Sequence, residues 1–219
     1  MTDTTRVRLR TAALVLVLAA CIAVSGVLPA MAQPVASAQA TLSGPALLAA
    51  LRAGGYVIFF RHTATDFSQN DDQMTGYEDC ATQRNLTDKG RSDARAIGEA
   101  LRALSIPSGE VLASPFCRTR ETAQLIFGRA TVSAAVRGGP AQPDPPGRYG
   151  ALRELLSTPV ARGSNLVIVS HGNPFRAIVG GTYLAEGEAA VILPRGNDAF
   201  VVVARVPQDE WRALATTPK

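Results

Sequence analysis

The 219-residue chain contains only two histidines, and both follow strongly apolar segments. His62 comes shortly after an uninterrupted apolar run at residues 56–60, and His171 comes shortly after a second run at residues 165–169. In an open α/β sheet, ligands bind beyond the carboxyl ends of the strands. The two imidazoles are therefore candidates for one cleft, although a single strand-end histidine is more often a capping or core residue.

Two arginines also lie at the ends of predicted strands. Arg61 directly precedes His62, and Arg118 stands at the start of a predicted helix that follows a strand at residues 110–114. A helix N-terminus adds free N–H groups and a positive dipole. A guanidinium group there can hold phosphate oxygens through two parallel hydrogen bonds. The pattern predicts a phosphate site, and the alternative for Arg118 is an ordinary surface residue.

Three motifs, in this order, resemble the histidine phosphatase, or phosphoglycerate mutase-like, superfamily. They are Arg-His after the first strand, Ser-Pro-x-x-Arg-x-x-x-Thr-Ala at residues 114–123, and Ser-His-Gly at residues 170–172. The segment at residues 86–90 also looks like the start of the family's helix between the first two motifs. One such motif would be weak evidence, whereas three in order at strand ends are specific. The resemblance covers residues 56–205.

The resemblance implies a covalent mechanism. His62 would attack phosphorus and form a phosphohistidine, which water would then hydrolyse. Arg61, Arg118 and a charged His171 would bind the phosphate and disfavour a further positive charge on His62. The same groups would stabilise the charge on the transferring phosphoryl group. No metal and no cofactor are required.

The residues after the nucleophile depart from the family pattern. The common signature continues Arg-His-Gly, but this chain has Thr63 there, where the backbone usually approaches the phosphate closely. Thr65 is therefore a candidate to offer its hydroxyl group to the phosphate instead.

The proton donor is a second departure. Many family members supply a glutamate shortly after the third strand, whereas residues 136–139 contain no carboxylate here. Only a group near the cleft can transfer a proton to the leaving oxygen. Three replacements are available: Asp66, Glu154 and the pair in Glu186-Gly187-Glu188 before a closing strand. Glu188 of this pair is our candidate acid and Asp66 is its equal alternative, with Glu154 ranked below both.

The elements that must position these residues alternate along the chain. Apolar runs predict strands at 56–60, 110–114, 131–136, 165–169, 189–193 and 200–205. Helical spacing and cap residues predict helices at 47–52, between Thr87 and Pro107, and at 115–127, 152–156 and 175–184. This order predicts an α/β fold, a three-layer α/β/α sandwich with a mostly parallel sheet of the phosphoglycerate mutase-like kind.

A long polar stretch at residues 63–84 carries no hydrophobic period, and we call it the roof loop because it would cover Arg61 and His62. Cys80 lies in this loop, and Cys117 adjoins Arg118. An oxidising destination permits a disulfide between the two cysteines, which would pin the roof loop to the phosphate pocket. The alternative is two unrelated buried thiols. Neither cysteine has the spacing of a zinc site, so no metal site is predicted.

The N-terminal sequence is typical of export. Three arginines precede an uncharged apolar run at residues 11–28, and Ala30-Met31-Ala32 supplies a cleavage pattern. We predict a signal peptide at 1–32, a flexible leader at 33–45 and a single histidine phosphatase domain at 46–219. The protein would be periplasmic or secreted. In the minority alternative Cys21 is lipidated and anchors the protein, and an uncleaved membrane anchor is a third option.

The net charge of the processed chain indicates which classes of binding partner to expect. Removal of the signal peptide takes away three arginines and one aspartate and leaves 19 basic and 17 acidic residues, a net charge of +2. This small net charge does not indicate nucleic-acid binding, which is typically accompanied by a strong excess of basic residues. The resemblance implies a metal-independent phosphatase for a small phosphorylated substrate, a phosphomonoester, and we expect no stable membrane association after cleavage of the signal peptide. The alternatives are a catalytically weak phospho-ligand binding protein of the same fold and a two-histidine phosphodiesterase.

Overall fold

A computed structural model describes residues 41–139 and 147–216. The predicted signal peptide, residues 33–40 of the predicted leader, and Cys21 lie outside this part of the chain. The helices are α1 (Gly44–Ala53), α2 (Asp88–Ala103), α3 (Cys117–Phe127), α4 (Gly150–Ser157), α5 (Gly172–Val179) and α6 (Gln208–Thr216). The strands are β1 (Val57–Arg61), β2 (Ser108–Ala113), β3 (Thr131–Val132), β4 (Asn165–Ser170), β5 (Ala189–Gly196) and β6 (Ala199–Val206).

The described strands form one six-stranded sheet in the order β3-β2-β4-β1-β5-β6. The first four strands in that order run parallel to one another. β5 runs antiparallel to β1, and β6 runs antiparallel to β5. The predicted α/β fold with a mostly parallel sheet is confirmed.

Helices cover both faces of this sheet, because alternate residues of a strand point to opposite faces. Ile58 and Phe60 of β1 join one apolar cluster with residues of α1, α2, α3 and α6. Val57 and Phe59 join a second cluster with residues of α4 and α5. All four of these strand side chains are at most 1% exposed, so β1 is buried on both faces and its carboxyl end is held rigidly.

The described helices and strands differ from the sequence prediction at their ends. Gly44 begins α1 inside the segment predicted as leader, with a proline in the first turn where it is tolerated. The strand predicted at 131–136 is only two residues long and is followed by a 3₁₀ turn, Ala134–Val136. α5 ends at Val179 because Gly180 adopts φ 79°, which favours glycine.

α6 was not predicted from the sequence, although it carries two acidic residues in its first turn. Trp211 of this helix is fully buried and lies with its ring centroid 6.0 Å from that of Phe60. Within residues 41–139 and 147–216, no helix combines the length and apolar character needed to cross a membrane.

Candidate active site

The two histidines meet because β1 and β4 are adjacent and parallel. Arg61 and Ser170 are the last residues of the two strands and pair in register, so the residue that follows each strand is a histidine. The amide of His62 donates to the carbonyl oxygen of Ser170 over 3.0 Å. The ring centroids of His62 and His171 are 5.5 Å apart, with the rings inclined at 70°. The structure therefore brings both predicted histidines to one site.

The His62 ring is held in one tautomer. Its Nδ1 lies 2.9 Å from the carbonyl oxygen of Thr63. A carbonyl oxygen can only accept, so Nδ1 carries the hydrogen and Nε2 keeps its lone pair. Burial lowers the pKa of His62 well below its usual value; the Thr63 hydrogen bond opposes the shift, and the charges of Arg118 and Arg61 add to it. His62 is thus a neutral imidazole with a lone pair for attack.

His171 is also neutral, which corrects the expectation that it is charged. Burial is the main cause that lowers its pKa well below the usual value, and the charge of Arg118 acts in the same direction. Its Nε2 lies 2.8 Å from Oγ of Ser114. A Cβ atom on Gly138 would lie 2.5 Å from Cδ2 of His171, so only glycine fits beside this ring. The Ser114 contact and Gly138 therefore fix the position of the His171 ring beside His62.

Arg61 is held at the end of β1 by two groups. Its Nη1 donates to the carbonyl oxygen of Leu184 over 2.8 Å, and its Nη2 lies 3.5 Å from Oε1 of Glu186. Its Nε is buried and has no hydrogen-bond partner among the described residues. A buried donor without a partner is unfavourable, so this N–H lacks the hydrogen bond that a buried polar group normally makes. Arg61, His62 and His171 form what we call the floor of the site.

Arg118 is the second residue of α3 and is only 5% exposed. Its two Nη atoms each donate to one carboxylate oxygen of Asp71, at 3.0 Å. Its carbon Cζ lies 4.4 Å from the ring centre of Phe116. Its Nε, like that of Arg61, is buried without a described partner.

The backbone after His62 is positioned by the second motif. The amide of Thr63 donates to Oγ1 of Thr122 over 3.3 Å, and that hydroxyl donates to the carbonyl oxygen of Arg118 over 2.7 Å. Thr63 and Thr122 are fully buried. The threonine that replaces glycine after Arg-His is therefore packed against α3, and the motif threonine couples the two motifs.

Arg84 is a functional candidate that sequence reasoning missed. It lines the same cavity as His62, Arg118 and His171. Its positive charge lowers the pKa of both histidines. Its Nε is a third buried N–H without a described partner. Arg84 lies at the end of the polar roof loop, where no periodicity distinguishes it from its neighbours.

Thr65 does not have the role predicted for it. Its hydroxyl donates to Oε1 of Glu186 over 2.6 Å, and its amide lies 3.3 Å from Oε2 of the same residue. Thr65 is 4% exposed and does not line the cavity. Instead of binding phosphate, it fixes the carboxylate that lies beside Arg61 and 3.9 Å from Nδ1 of His62.

The two predicted proton donors, Glu188 and Asp66, also bind other residues. Glu188 accepts from Nε and Nη2 of Arg205, at 2.7 and 3.0 Å, and from the amide of Ala185. Asp66 accepts from the amide and hydroxyl of Ser68, and these hydrogen bonds lower its pKa. Neither carboxylate lines the cavity. Glu188 is a structural ion-pair residue, and Asp66 is an ionised loop residue with no proton to give at neutral pH.

The roof loop is tied to α3 by a disulfide between Cys80 and Cys117, whose Cα atoms are 5.7 Å apart. Gln83 adds a second connection, since its Oε1 accepts from the amide of Cys117 over 2.9 Å. The Gln83 amide group also donates to three carbonyl oxygens of the loop. The loop is therefore fixed next to Arg118 by covalent and polar contacts.

A cavity of about 570 Å³ lies between the floor and the roof loop. Among the described residues that line it, the cationic ones are Arg61, Arg84, Arg118, Arg137 and Arg148, and the carboxylates are Asp71 and Asp72. Tyr77, Phe116 and Tyr183 supply aromatic surface. The described part of the chain contains no group of three His, Cys, Asp or Glu side chains that could hold a metal ion. The cavity suits an anion of phosphate size at the floor with an organic group above it.

Comparison with protein families supports this interpretation. The family model described as the histidine phosphatase superfamily (branch 1) matches residues 57–138, which include the first two motifs. His171 lies beyond the matched range. The resemblance to this superfamily is confirmed. No curated protein sequence matches the chain.

Solved structures are similar in fold at low sequence identity. Two are of phosphoserine phosphatase from Entamoeba histolytica, one a mutant in complex with phosphoserine and the other a complex with 3-phosphoglyceric acid. Each has a TM-score of 0.50 and 14% identity, over 71% of this chain and 98% of that one. The protein histidine phosphatase SixA complexed with tungstate has a TM-score of 0.49 and 19% identity, over 70% of this chain and 97% of that one. The phosphoserine phosphatase likeness establishes the fold alone.

Proposed function

From the confirmed resemblance to the histidine phosphatase superfamily, we propose that this chain is an exported, metal-independent phosphatase that hydrolyses small phosphomonoesters through a phosphohistidine on His62. The observation that carries the proposal is the state of the His62 ring. Its Nδ1 is occupied by the Thr63 carbonyl oxygen, so the lone pair is on Nε2. Its lowered pKa keeps that lone pair free of a proton at neutral pH.

The proposed reaction has two displacements at phosphorus. In the first, the Nε2 lone pair of His62 forms a P–N bond while the ester P–O bond breaks, and the leaving oxygen departs with the bonding electron pair and takes a proton from solvent water. In the second, a water oxygen attacks phosphorus, the P–N bond breaks with its electron pair returning to Nε2, and the product leaves as dihydrogen phosphate with both protons of the water, so that His62 is neutral again. The guanidinium groups of Arg61, Arg84 and Arg118 balance the charge on the phosphoryl oxygens in both steps.

The carboxylates near the cavity determine which leaving groups the proposed enzyme would prefer. The two carboxylates among the cavity's described lining residues belong to the roof loop, and one of them, Asp71, is bound by Arg118. Glu188 and Asp66 are engaged elsewhere. The described residues therefore favour leaving groups that are weak bases and need little protonation. An aryl phosphate should be cleaved much faster than an alkyl phosphate.

Two further features support export and metal independence. A disulfide such as Cys80–Cys117 is typical of proteins in an oxidising compartment. The phosphate site is surrounded by the positive charges of Arg61, Arg84 and Arg118, which supply the charge that a metal ion would otherwise provide. We expect a chelator to leave the rate unchanged, and a large loss of activity on adding EDTA would contradict metal independence.

The decisive experiment is turnover of p-nitrophenyl phosphate by the wild type and by His62→Ala. We expect kcat to fall by at least about four orders of magnitude, because the nucleophile is removed. Acid-labile phosphate should be trapped on His62 in the wild type after rapid quenching. Equal rates for the two proteins would refute the assignment, and turnover without trapped phosphate would favour a two-histidine phosphodiesterase.

A catalytically weak phospho-ligand binding protein is the second candidate, because neither predicted acid is near the nucleophile. Calorimetry with inorganic phosphate separates it from the phosphatase. Binding without turnover of even an activated aryl phosphate would favour the binding protein.

A further inference from the structure

The clearest feature that the proposed reaction does not use is the ion pair between Asp71 and Arg118. Asp71 belongs to the roof loop, 47 residues before Arg118 in the chain. Its Oδ1 and Oδ2 accept from Nη1 and Nη2 of the guanidinium group, both at 3.0 Å. This is the bidentate arrangement that Arg usually forms with phosphate. A carboxylate of the same chain therefore holds one edge of the phosphate-binding guanidinium.

The Asp71 carboxylate is fixed by more than this pair. The backbone amide of Arg84 donates to Oδ1 of Asp71 over 2.9 Å, and the backbone oxygen of Arg84 accepts from Nη1 of Arg118 over 3.2 Å. Asp71, Arg84 and Arg118 thus form a closed set of hydrogen bonds. The loop that carries Asp71 is anchored separately, by the disulfide and by Gln83. The carboxylate is therefore held in place by contacts that do not depend on Arg118.

Some N–H groups of Arg118 are not bound by Asp71 or by the Arg84 carbonyl oxygen. A guanidinium group has five N–H donors in one plane. Asp71 and the Arg84 carbonyl oxygen take the donors at the Nη1–Nη2 end. The N–H of Nε has no described partner, and it lies on the same edge as the second N–H of Nη2. The ring of Phe116, 4.4 Å from Cζ, supports one face of the plane.

We propose that Asp71 is a positioning residue, which fixes the plane of Arg118 so that its Nε–Nη2 edge is set for the phosphoryl group. This inference deepens the proposed function and rests on it. Asp71 does not touch the phosphate; it acts through Arg118. Preorganised donors stabilise a developing charge without reorganisation during the reaction, which is why an orienting carboxylate raises the rate. The contrary possibility is that Asp71 competes with the phosphate for Arg118.

These two possibilities predict opposite signs for Asp71→Asn. If Asp71 positions Arg118, the inhibition constant of orthovanadate should rise about tenfold, because a charge-assisted hydrogen-bond pair is lost. If it competes, orthovanadate should bind more tightly. Asp72→Asn is the matched control. It removes the same charge from the same cavity, but Asp72 is not among the described partners of Arg118. We expect the control to change orthovanadate binding by less than about twofold.

A double-mutant cycle tests whether Asp71 acts through Arg118. In the Arg118→Lys background, Asp71→Asn should lower kcat/KM by no more than about twofold, because an ammonium group has no planar fork to orient. Additive losses in kcat/KM, or tighter orthovanadate binding in Asp71→Asn alone, would overturn the proposal. Melting temperatures of all variants show whether any loss is caused by unfolding.

The test remains valid if the chain proves not to be a phosphatase. Calorimetry of inorganic phosphate binding to the wild type, Asp71→Asn and Asp72→Asn needs no turnover. Weaker binding by Asp71→Asn alone supports the positioning role even when p-nitrophenyl phosphate is not hydrolysed, so failure of the proposed function would be seen separately. Equal phosphate binding by all three proteins would overturn the positioning role.

Discussion

The floor and the roof loop of the cavity contribute charged groups to the same site but are built in different ways. The floor residues stand at the ends of two buried, adjacent strands, and the backbone ladder fixes them. The roof loop has no strand or α-helix over residues 66–79, and its position depends on side-chain contacts. These include the disulfide, Gln83 and the Asp71–Arg118 pair. The comparison teaches that the floor holds the proposed nucleophile in a rigid frame, whereas in the proposed function the roof loop would adjust how tightly the phosphate is held.

The largest effect is expected where the floor itself is disturbed. Gly138→Ala would place a methyl group 2.5 Å from Cδ2 of His171 and force the ring to move. We expect kcat/KM for p-nitrophenyl phosphate to fall about 100-fold, since small displacements of catalytic groups have large effects on rate. Gly150→Ala is the matched control, because a Cβ atom there meets nothing within 4 Å. A drop of similar size in both variants would show that the crowding of His171 is not the cause.

A smaller effect on kcat/KM is expected from replacing Arg84, the arginine at the end of the roof loop. Arg84→Gln removes the third guanidinium group from the cavity, and we expect kcat/KM to fall about tenfold, mostly through weaker phosphate binding. The loss should appear in steady-state kinetics as a higher KM and a higher inhibition constant for inorganic phosphate. Arg95→Gln, at an exposed position of α2, is the control for a change in net charge. Unchanged phosphate inhibition in Arg84→Gln would mean that Arg84 lines the cavity without contacting the anion.

Opening the disulfide should disturb the roof loop while leaving the floor intact. Replacement of Cys80 and Cys117 by serine removes a link that closes a loop of 37 residues. Chain-entropy reasoning gives about 4 kcal/mol of lost stability for a loop of that length. We expect urea denaturation to show this loss, while kcat/KM falls only about threefold to fivefold because the His62–His171 pair stays in place. A loss of activity as large as that of Gly138→Ala would show that the floor depends on the roof loop.

The smallest effect that we expect is on the pH dependence of folding stability, through the two histidines of the floor. Both histidines have pKa values lowered well below the usual value, mainly by burial. The unfolded chain takes up protons at His62 and His171 near their ordinary pKa of about 6.5, whereas the folded chain does not. Stability should therefore fall as the pH is lowered below about 6.5. The melting temperature of His171→Asn should depend less on pH over this range than that of the wild type. An equal dependence in both proteins would show that carboxylates or other groups dominate.

Much of the floor could be predicted from the sequence. The apolar runs before His62 and His171 are local patterns that dictate buried strands, and a residue just past a buried strand lies at the strand's end. Arg61 and Arg118 followed from their places beside these elements. The prediction failed where a side chain had more than one possible partner. Thr65 binds Glu186 instead of a phosphate, and Glu188 pairs with Arg205.

By itself, the sequence determined the α/β order of elements, the strand-end positions of both histidines and the motif that carries Arg118. It could do so because periodicity and adjacency along the chain are set by local backbone geometry. Only the tertiary structure decided the contacts of the roof loop. Asp71 meets Arg118 across 47 positions, and Cys80 meets Cys117 across 37. A loop without periodicity can be closed in many ways at nearly the same entropy, so packing against α3 selects which charged groups meet.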